Sequence, residues 1–147
     1  MGFQIQLNGL KKRISDMEEM AGYRAMDMVN ELTGIGEAQA KALAPVDYGE
    51  LRESIHMTAA RITDEGIVEG SFGTNCDHAI FMEYGTGQKG IAGIVTNGQE
   101  KDPEDVAHRE DWPGVPAQPY MYPATKLVME ASADIHEKYK KKFIEGK

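Results

Sequence analysis

The chain has 147 residues, which suits one domain with a long arm better than two domains. Hydrophobic residues make up 41% and charged residues 27%, a composition typical of a folded globular protein rather than a disordered one. There are 16 basic and 24 acidic residues, and the net charge of −8 argues against a protein that coats nucleic acid or docks on an anionic membrane. Charges interrupt the apolar residues throughout, so no run reaches the roughly 18–20 residues that would span a bilayer.

Residues 1–43 have the pattern of a long amphipathic helix. Gly34 and Gly36 each weaken a helix by roughly 1 kcal/mol relative to alanine, so we expect a kink or a break between them. Pro45 ends the helix, because a proline pushes the residue before it out of the α region. Apolar residues recur mostly at three- or four-residue steps at Leu7, Leu10, Ile14, Met17, Ala21, Met28 and Leu32.

Residues 44–86 are predicted to form a β core. Asp47-Tyr48-Gly49 is a turn signal, and the segment from Leu51 to Ala60 begins as a helical turn and continues as a strand. Asp64-Glu65-Gly66 has the composition of a hairpin turn between two strands. The period of His78–Tyr84 fits either a third strand or a helical turn.

Residues 87–116 lose periodicity and are interpreted as a mobile arm. The twelve residues from Glu100 to Asp111 include six acids and two bases, which gives a local charge of 2 − 6 = −4. A structureless stretch of this length inside a compact domain is unusual, so it is either a functional arm or a disordered insertion.

Residues 117–147 form a second helical region. Pro123 suits a first helical turn, and lysines near the C-terminal end suit the negative end of the helix dipole. The elements together predict a single domain of the α+β class. A long N-terminal helix and a C-terminal helix pack on a small antiparallel sheet, and a long flexible loop precedes the last helix.

No segment has the pattern of a cofactor or metal site. Residues 85–90 read Gly-Thr-Gly-Gln-Lys-Gly, the letters of a dinucleotide fingerprint, but a glycine-broken, β-branched stretch follows where a helix should begin. No two histidines have the i, i+4 spacing of a helical zinc site. The single cysteine, Cys76, excludes a disulfide framework and indicates a reducing, intracellular site of synthesis. We therefore expect no cofactor, no metal and no catalytic residue.

Two alternatives from other classes remain open. Cys76, His78 and Glu83 lie close enough in sequence to be imagined as the nucleophile, base and acid of a small enzyme. The acidic block of residues 100–111 could instead mimic nucleic acid and occupy a basic partner.

Three segments resemble a known family when they are taken in order. Residues 44–55 read Ala-Pro-Val-Asp-Tyr-Gly-Glu-Leu-Arg-Glu-Ser-Ile, similar to a family signature A-P-V-D-T-G-x-L-R-x-S-I. Residues 72–87 begin Phe-Gly-Thr-Asn and end Glu-Tyr-Gly-Thr-Gly, similar to a second signature. Residues 116–124 read Pro-Ala-Gln-Pro-Tyr-Met-Tyr-Pro-Ala, similar to A-Q-P-F-L-R-P-A. The family is that of the gene-product-ten-like tail components, the neck and tail-completion proteins of tailed bacteriophages.

The match is carried by individual residues, and three positions depart from it. Tyr48 stands where the family usually has Thr or Ser, His78 replaces an aromatic residue, and Tyr122 replaces an arginine. The matching residues, which we interpret as structural, are Pro45, Asp47, Gly49, Leu51, Arg52, Ser54, Gly73, Thr74, Asn75, Ala79, Glu83, Tyr84, Gly85, Thr86, Gly87, Pro119, Tyr120, Pro123 and Ala124.

The chemistry of these residues is that of a scaffold. Asp47 is a candidate cap for a short helical turn that begins near Gly49. Arg52 and Glu83 are candidate ion-pair partners that would link the first two motifs. Gly85 and Gly87 permit positive φ where the chain leaves the sheet.

The resemblance implies a virion protein of the head–tail neck or the tail top, with a head-closure or tail-terminator protein as the alternative. Such a protein would assemble with copies of itself into a ring, through heterologous contacts that close. Its other partners would be neck and tail proteins of the phage, with DNA only as passing cargo. A membrane and a small-molecule substrate are not expected.

Overall fold

The computed structural model describes residues 2–46, 49–90 and 111–146, with the side chains of the first helix described from residue 18 onward. A long N-terminal helix and a C-terminal helix accompany a two-stranded antiparallel sheet, which confirms the predicted α+β class. The helices are α1 (Gly2–Leu43), α2 (Glu50–Ser54), α3 (Ala79–Tyr84) and α4 (Met121–Glu145), and the strands are β1 (His56–Ile62) and β2 (Val68–Gly73). Residues 87–90 form a further helical turn.

Helix α1 runs through Gly34 and Gly36 without the expected break. The two glycines differ in their surroundings. A Cβ added at Gly36 would lie 2.6 Å from Cδ1 and Cζ of Phe72 on β2, and closer still to Cε1, whereas one added at Gly34 would meet only Met57 Sδ, at 3.8 Å. Gly36 therefore allows the sheet to pack closely on the helix, and this packing outweighs the weak helix propensity of glycine.

The strands β1 and β2 pair from His56↔Gly73 to Ile62↔Val68, with an irregularity between Thr58 and Arg61. The turn between them contains Gly66 at φ 80°, as the hairpin signal predicts. The other ambiguous segment, from residue 79 to residue 84, is helical rather than a third strand.

Helix α4 packs antiparallel against α1. Glu31, in the C-terminal third of α1, accepts hydrogen bonds from Lys138 Nζ at 2.8 Å and from the Tyr139 hydroxyl at 2.7 Å, near the end of α4. At the opposite end of the pair, a small core joins the two helices to α2. Its buried members are Ala40, Ala44, Leu51, Ile55, Tyr120 and Ala124.

The contact between Glu31 and Tyr139 predicts a loss of stability at high pH. The hydrogen bond to Glu31, together with burial, raises the pKa of Tyr139 from 10.0 to about 12. The stabilisation is complete below pH 10 and is lost as the pH rises through 12, because the unfolded tyrosine releases its proton first. We expect Tyr139→Phe to flatten the fall in free energy of unfolding over that range, measured by urea titration at several pH values.

Tyr23→Phe is the matched control, since Tyr23 lies on α1 and is 58% exposed. Tyr120 remains in both variants, and burial raises its pKa to about 12 as well, so part of the alkaline loss should persist. An equal slope for Tyr139→Phe and for the unaltered protein would contradict the assignment to Tyr139.

Candidate functional site

The three sequence motifs meet at one place, which we call the motif junction. It consists of the C-terminal end of α1, helices α2 and α3, and the first turn of α4. Leu51 from the first motif and Tyr120 and Ala124 from the third share the buried core. Ala79 of the second motif packs against that core as a partly buried residue, and so does Cys76, which lies within the same segment.

Glu83 connects the second motif to the third. Its side chain is 6% exposed, and its Oε2 accepts the backbone N–H groups of Tyr120 at 2.8 Å and Met121 at 2.9 Å. Its Oε1 accepts the N–H of Tyr122 at 2.9 Å. The first N–H groups of a helix have no partner inside it, and Tyr120 at the N-cap supplies no side-chain bond. A carboxylate from α3 therefore caps α4, where its charge also complements the helix dipole.

Two further bonds tie α3 to the chain that enters α4. The N–H of Gln118 donates to the carbonyl of Met82 at 2.8 Å. The hydroxyl of Tyr120 donates to the carbonyl of Ala79 at 3.4 Å. Burial, with the charge of Glu83 as a second cause, raises the pKa of Tyr120 to about 12, so this hydroxyl stays protonated at neutral pH.

Ser54 and Thr74 connect the first motif to the second. Their hydroxyl oxygens are 2.5 Å apart, and Ser54 Oγ also lies 2.7 Å from the carbonyl of Leu51. A serine hydroxyl has one proton, so when it donates to Leu51 the proton between the two hydroxyls comes from Thr74. Thr74 Oγ1 in turn accepts the N–H of Cys76 at 3.1 Å. This chain of bonds fixes the loop that follows β2.

Arg52 and Glu83, the candidate ion pair, each bond to backbone groups. Arg52 donates from Nη2 to the carbonyl of Ala44 at 3.3 Å, where α1 ends. Its Nε is buried and has no hydrogen-bond partner among the described residues. Gly49 occupies the N-cap of α2 with φ 76°, and Asp47, the expected cap, lies outside the described residues.

The Gly-Thr-Gly loop holds the two ends of the 87–116 segment together. Thr86 N–H donates to the carbonyl of Val115 at 2.8 Å, and Val115 N–H returns a bond to the carbonyl of Thr86 at 3.1 Å. Gln88 N–H donates to the carbonyl of Trp112 at 3.0 Å. Gly85 and Gly87 have φ 71° and 59°, as expected for glycine. Residues 91–110, the larger part of the predicted arm, lie outside the described residues.

The same glycines pack against the chain's own backbone. A Cβ at Gly85 would lie 2.6 Å from Val115 O and from Ala117 N, and one at Gly87 would meet the carbonyl of Trp112 more closely still. The space beside this loop, where a nucleotide fingerprint would hold phosphates, is filled by residues 112–117.

The three side chains of the imagined enzyme are only partly brought together. Cys76 Sγ lies 3.2 Å from His78 Nδ1, whereas Glu83 uses both of its oxygens on the N–H groups of α4. Within the described ranges, no group of three or more histidine, cysteine or acidic side chains is placed to hold a metal ion. In the described part of the chain, no helix is long and apolar enough to cross a membrane.

The remaining motif residues lie around the junction. Pro45 follows the end of α1, Gly73 ends β2 opposite His56, and Asn75 is exposed in the loop after it. Tyr84 ends α3, Pro119 precedes the N-cap of α4, and Pro123 lies in the first turn of α4.

Gln118 bonds to α3 in the motif junction, and Gly114 packs on the Gly-Thr-Gly loop; neither is among the candidate residues from the sequence. Gly114 has φ 66° and packs on Thr86, and its signal is a glycine between two nearby prolines, Pro113 and Pro116.

A family model agrees with the first two motifs. The model described as "Bacteriophage HK97-gp10, putative tail-component" matches residues 8–85, more than half of the chain. The chain belongs to this family. The resemblance drawn from the motifs is thereby confirmed, and it identifies a bacteriophage tail component. The third motif lies beyond the matched residues, but Glu83 joins it to the second. Comparisons with curated proteins and with solved structures give no match.

Proposed function

We propose that this tail component acts in the neck between head and tail, or at the top of the tail, where it completes the tail as a ring around the DNA channel. It does so as a structural protein without a catalytic reaction. A head-closure or tail-terminator protein is the alternative within the same class, and it differs in the position of its ring.

The main support for the proposal is that polar side chains of the motif junction bond to the chain itself. Catalysis needs polar groups aimed at a space that a substrate can enter. Here Glu83 caps α4, and Ser54 and Thr74 bond to each other and to the backbone. These residues hold four segments of the chain in fixed relative positions, which is what a subunit of a ring requires.

The charge of the chain supports a place beside passing DNA. The net charge is −8, and residues 100–111 are the most acidic part of the sequence. An acidic surface repels the phosphates of DNA, so DNA would slide past it without sticking. In this proposal the segment of residues 91–110 contacts a neighbouring subunit or the tail tube.

The test is whether the chain forms rings and joins heads to tails. We expect mass-resolved size-exclusion chromatography, with negative-stain imaging, to show rings of about six or more subunits, either free or on added phage tails and portal complexes. A protein that forms no ring and binds neither tails nor portal complexes would contradict the proposal.

A deletion of residues 91–110 tests whether this segment is needed for assembly but not for folding. Gln88 and Trp112 are hydrogen-bonded at 3.0 Å, so a short glycine–serine linker can close the gap and keep both ends in place. We expect unchanged thermal unfolding and lost ring or tail binding. A second variant, which replaces the acids of residues 100–110 by serine and glutamine, separates the effect of charge from that of length. Normal assembly of both variants would show that the segment has no role.

A further inference from the structure

The two outer edges of the sheet differ. On the outer edge of β1, the N–H of Met57 donates to Glu37 Oε2 at 3.0 Å and the N–H of Ala60 donates to Asn30 Oδ1 at 2.7 Å. Side chains of α1 thus cover this edge. The sheet has two strands in the part of the chain that the structure describes, so β2 also has an outer edge.

The outer edge of β2 is free in the described part of the chain. Backbone groups of an antiparallel strand point alternately to its two sides. Ile67 O accepts the N–H of Thr63 at 2.8 Å, so this alternation turns Val68, Gly70 and Phe72 away from β1. No described residue bonds to their outward N–H groups. Unpaired strand edges are templates for pairing with another chain, and proteins commonly cover them.

An apolar groove of about 550 Å³ runs beside this edge. Val29 and Leu32 of α1 and Val128 of α4 line it, together with the edge residues of β2. We call it the edge groove. An extended segment placed there would pair with β2 through its backbone and bury alternate side chains against the two helices, as in β-strand addition.

We propose that the edge groove binds an extended segment, residues 91–96, of a second copy of this chain. The segment reads Ile-Ala-Gly-Ile-Val-Thr, has no charge, and four of its six residues are β-branched. These residue types favour strands and match the apolar lining of the groove. The acidic residues that follow, from Glu100 onward, would remain outside it.

The position of the segment in the chain suits a contact between copies. It begins directly after Gly90, at the place where Gln88 and Trp112 hold the two ends of residues 91–110 together. A twenty-residue segment anchored at both ends at one point can reach at most about 33 Å from it, at about 3.3 Å per extended residue. A closed ring needs two different complementary surfaces on each subunit, and the edge groove and this segment form such a pair. The inference rests on the proposed ring and names the contact that would build it.

Disulfide trapping between two variants tests the contact. Both variants carry Cys76→Ser; one adds Ser71→Cys, and the other adds cysteine at residue 94, 95 or 96. The backbone of Ser71 faces β1, so opposite an added antiparallel strand it occupies a non-hydrogen-bonded position, where Cα atoms are about 4.5 Å apart and a disulfide can form. Strand side chains alternate between the two faces, so either residue 95 or residues 94 and 96 lie on the face of Ser71. We expect oxidised mixtures to give linked dimers with cysteine at one of these two sets and not at the other.

A control and three alternative outcomes define what would contradict this contact. Ala133→Cys, exposed on α4 and outside the groove lining, replaces Ser71→Cys as the control and should give no linked dimer. A chain with both Ser71→Cys and Val95→Cys that links only within itself would show that the groove holds its own segment. Absence of any bond would show that the segment does not bind there. Rings that form without the bond would refute this contact alone and leave the neck function standing.

A charged side chain in the groove gives an independent test. Thr125 lines the groove from α4 and is exposed, so Thr125→Lys should leave the monomer folded. Docking of the apolar segment would bury the new charge, and we expect association of copies to weaken at least about tenfold. Ala133→Lys is the matched control on the same helix. Equal association of the two variants in sedimentation would contradict the proposal.

Discussion

Replacement of Glu83 by alanine is expected to destabilise the fold by about 3 kcal/mol, because Glu83 is a buried carboxylate that accepts several backbone hydrogen bonds. The substitution removes the acceptor of three backbone N–H groups at the start of α4, those of residues 120–122, of which Tyr120 is buried. It also removes a negative charge from the positive end of the helix dipole. Urea titration followed by circular dichroism measures the change.

Two variants make this result specific. Glu83→Gln keeps one acceptor oxygen but places an amide against N–H donors, so its loss of stability should lie between those of the alanine variant and the unaltered protein. Glu130→Ala removes an exposed carboxylate from α4, the helix that Glu83 caps, and should change stability by less than about 0.5 kcal/mol. If Glu83→Ala were no more destabilising than Glu130→Ala, the capping role would be refuted.

The sequence predicts the helices and the hairpin because these depend on local pattern. Apolar spacing and Pro45 are sufficient for the end of α1, which lies at Leu43. Turn chemistry is sufficient for the hairpin at Gly66. The absence of a break in α1 is not predictable in this way, since it depends on Phe72, which is 36 residues away in the chain and fills the space beside Gly36.

The sequence predicts which residues form the motif junction but not which groups they bond to. Opposite charge suggests an ion pair of Arg52 with Glu83. In the structure Arg52 donates to the carbonyl of Ala44, and Glu83 accepts backbone N–H groups at the start of α4. One sequence signal points to the actual role of Glu83. The residues before α4, Pro119 and Tyr120, include no serine, threonine, asparagine or aspartate that could cap it, so an acceptor from elsewhere is required.

Replacement of Gly36 by alanine is expected to destabilise the protein by about 1–2 kcal/mol, although alanine favours a helix by roughly 1 kcal/mol. The added methyl group would lie 2.6 Å from two atoms of the Phe72 ring, and the ring is partly buried against the core. The ring has to move, and overpacking of this kind typically costs about 1–3 kcal/mol. A cost in the upper part of that range exceeds the gain in helix propensity.

Gly34→Ala is the matched control, and its effect should have the opposite sign. The new methyl group would meet only Met57 Sδ at 3.8 Å, an ordinary contact, so the gain in helix propensity remains. We expect stabilisation by about 0.5–1 kcal/mol. Phe72→Leu should partly rescue Gly36→Ala, because a smaller side chain leaves space for the methyl group. Equal effects of the two alanine variants in thermal unfolding would show that helix propensity, and not the contact between α1 and β2, decides the residue at position 36.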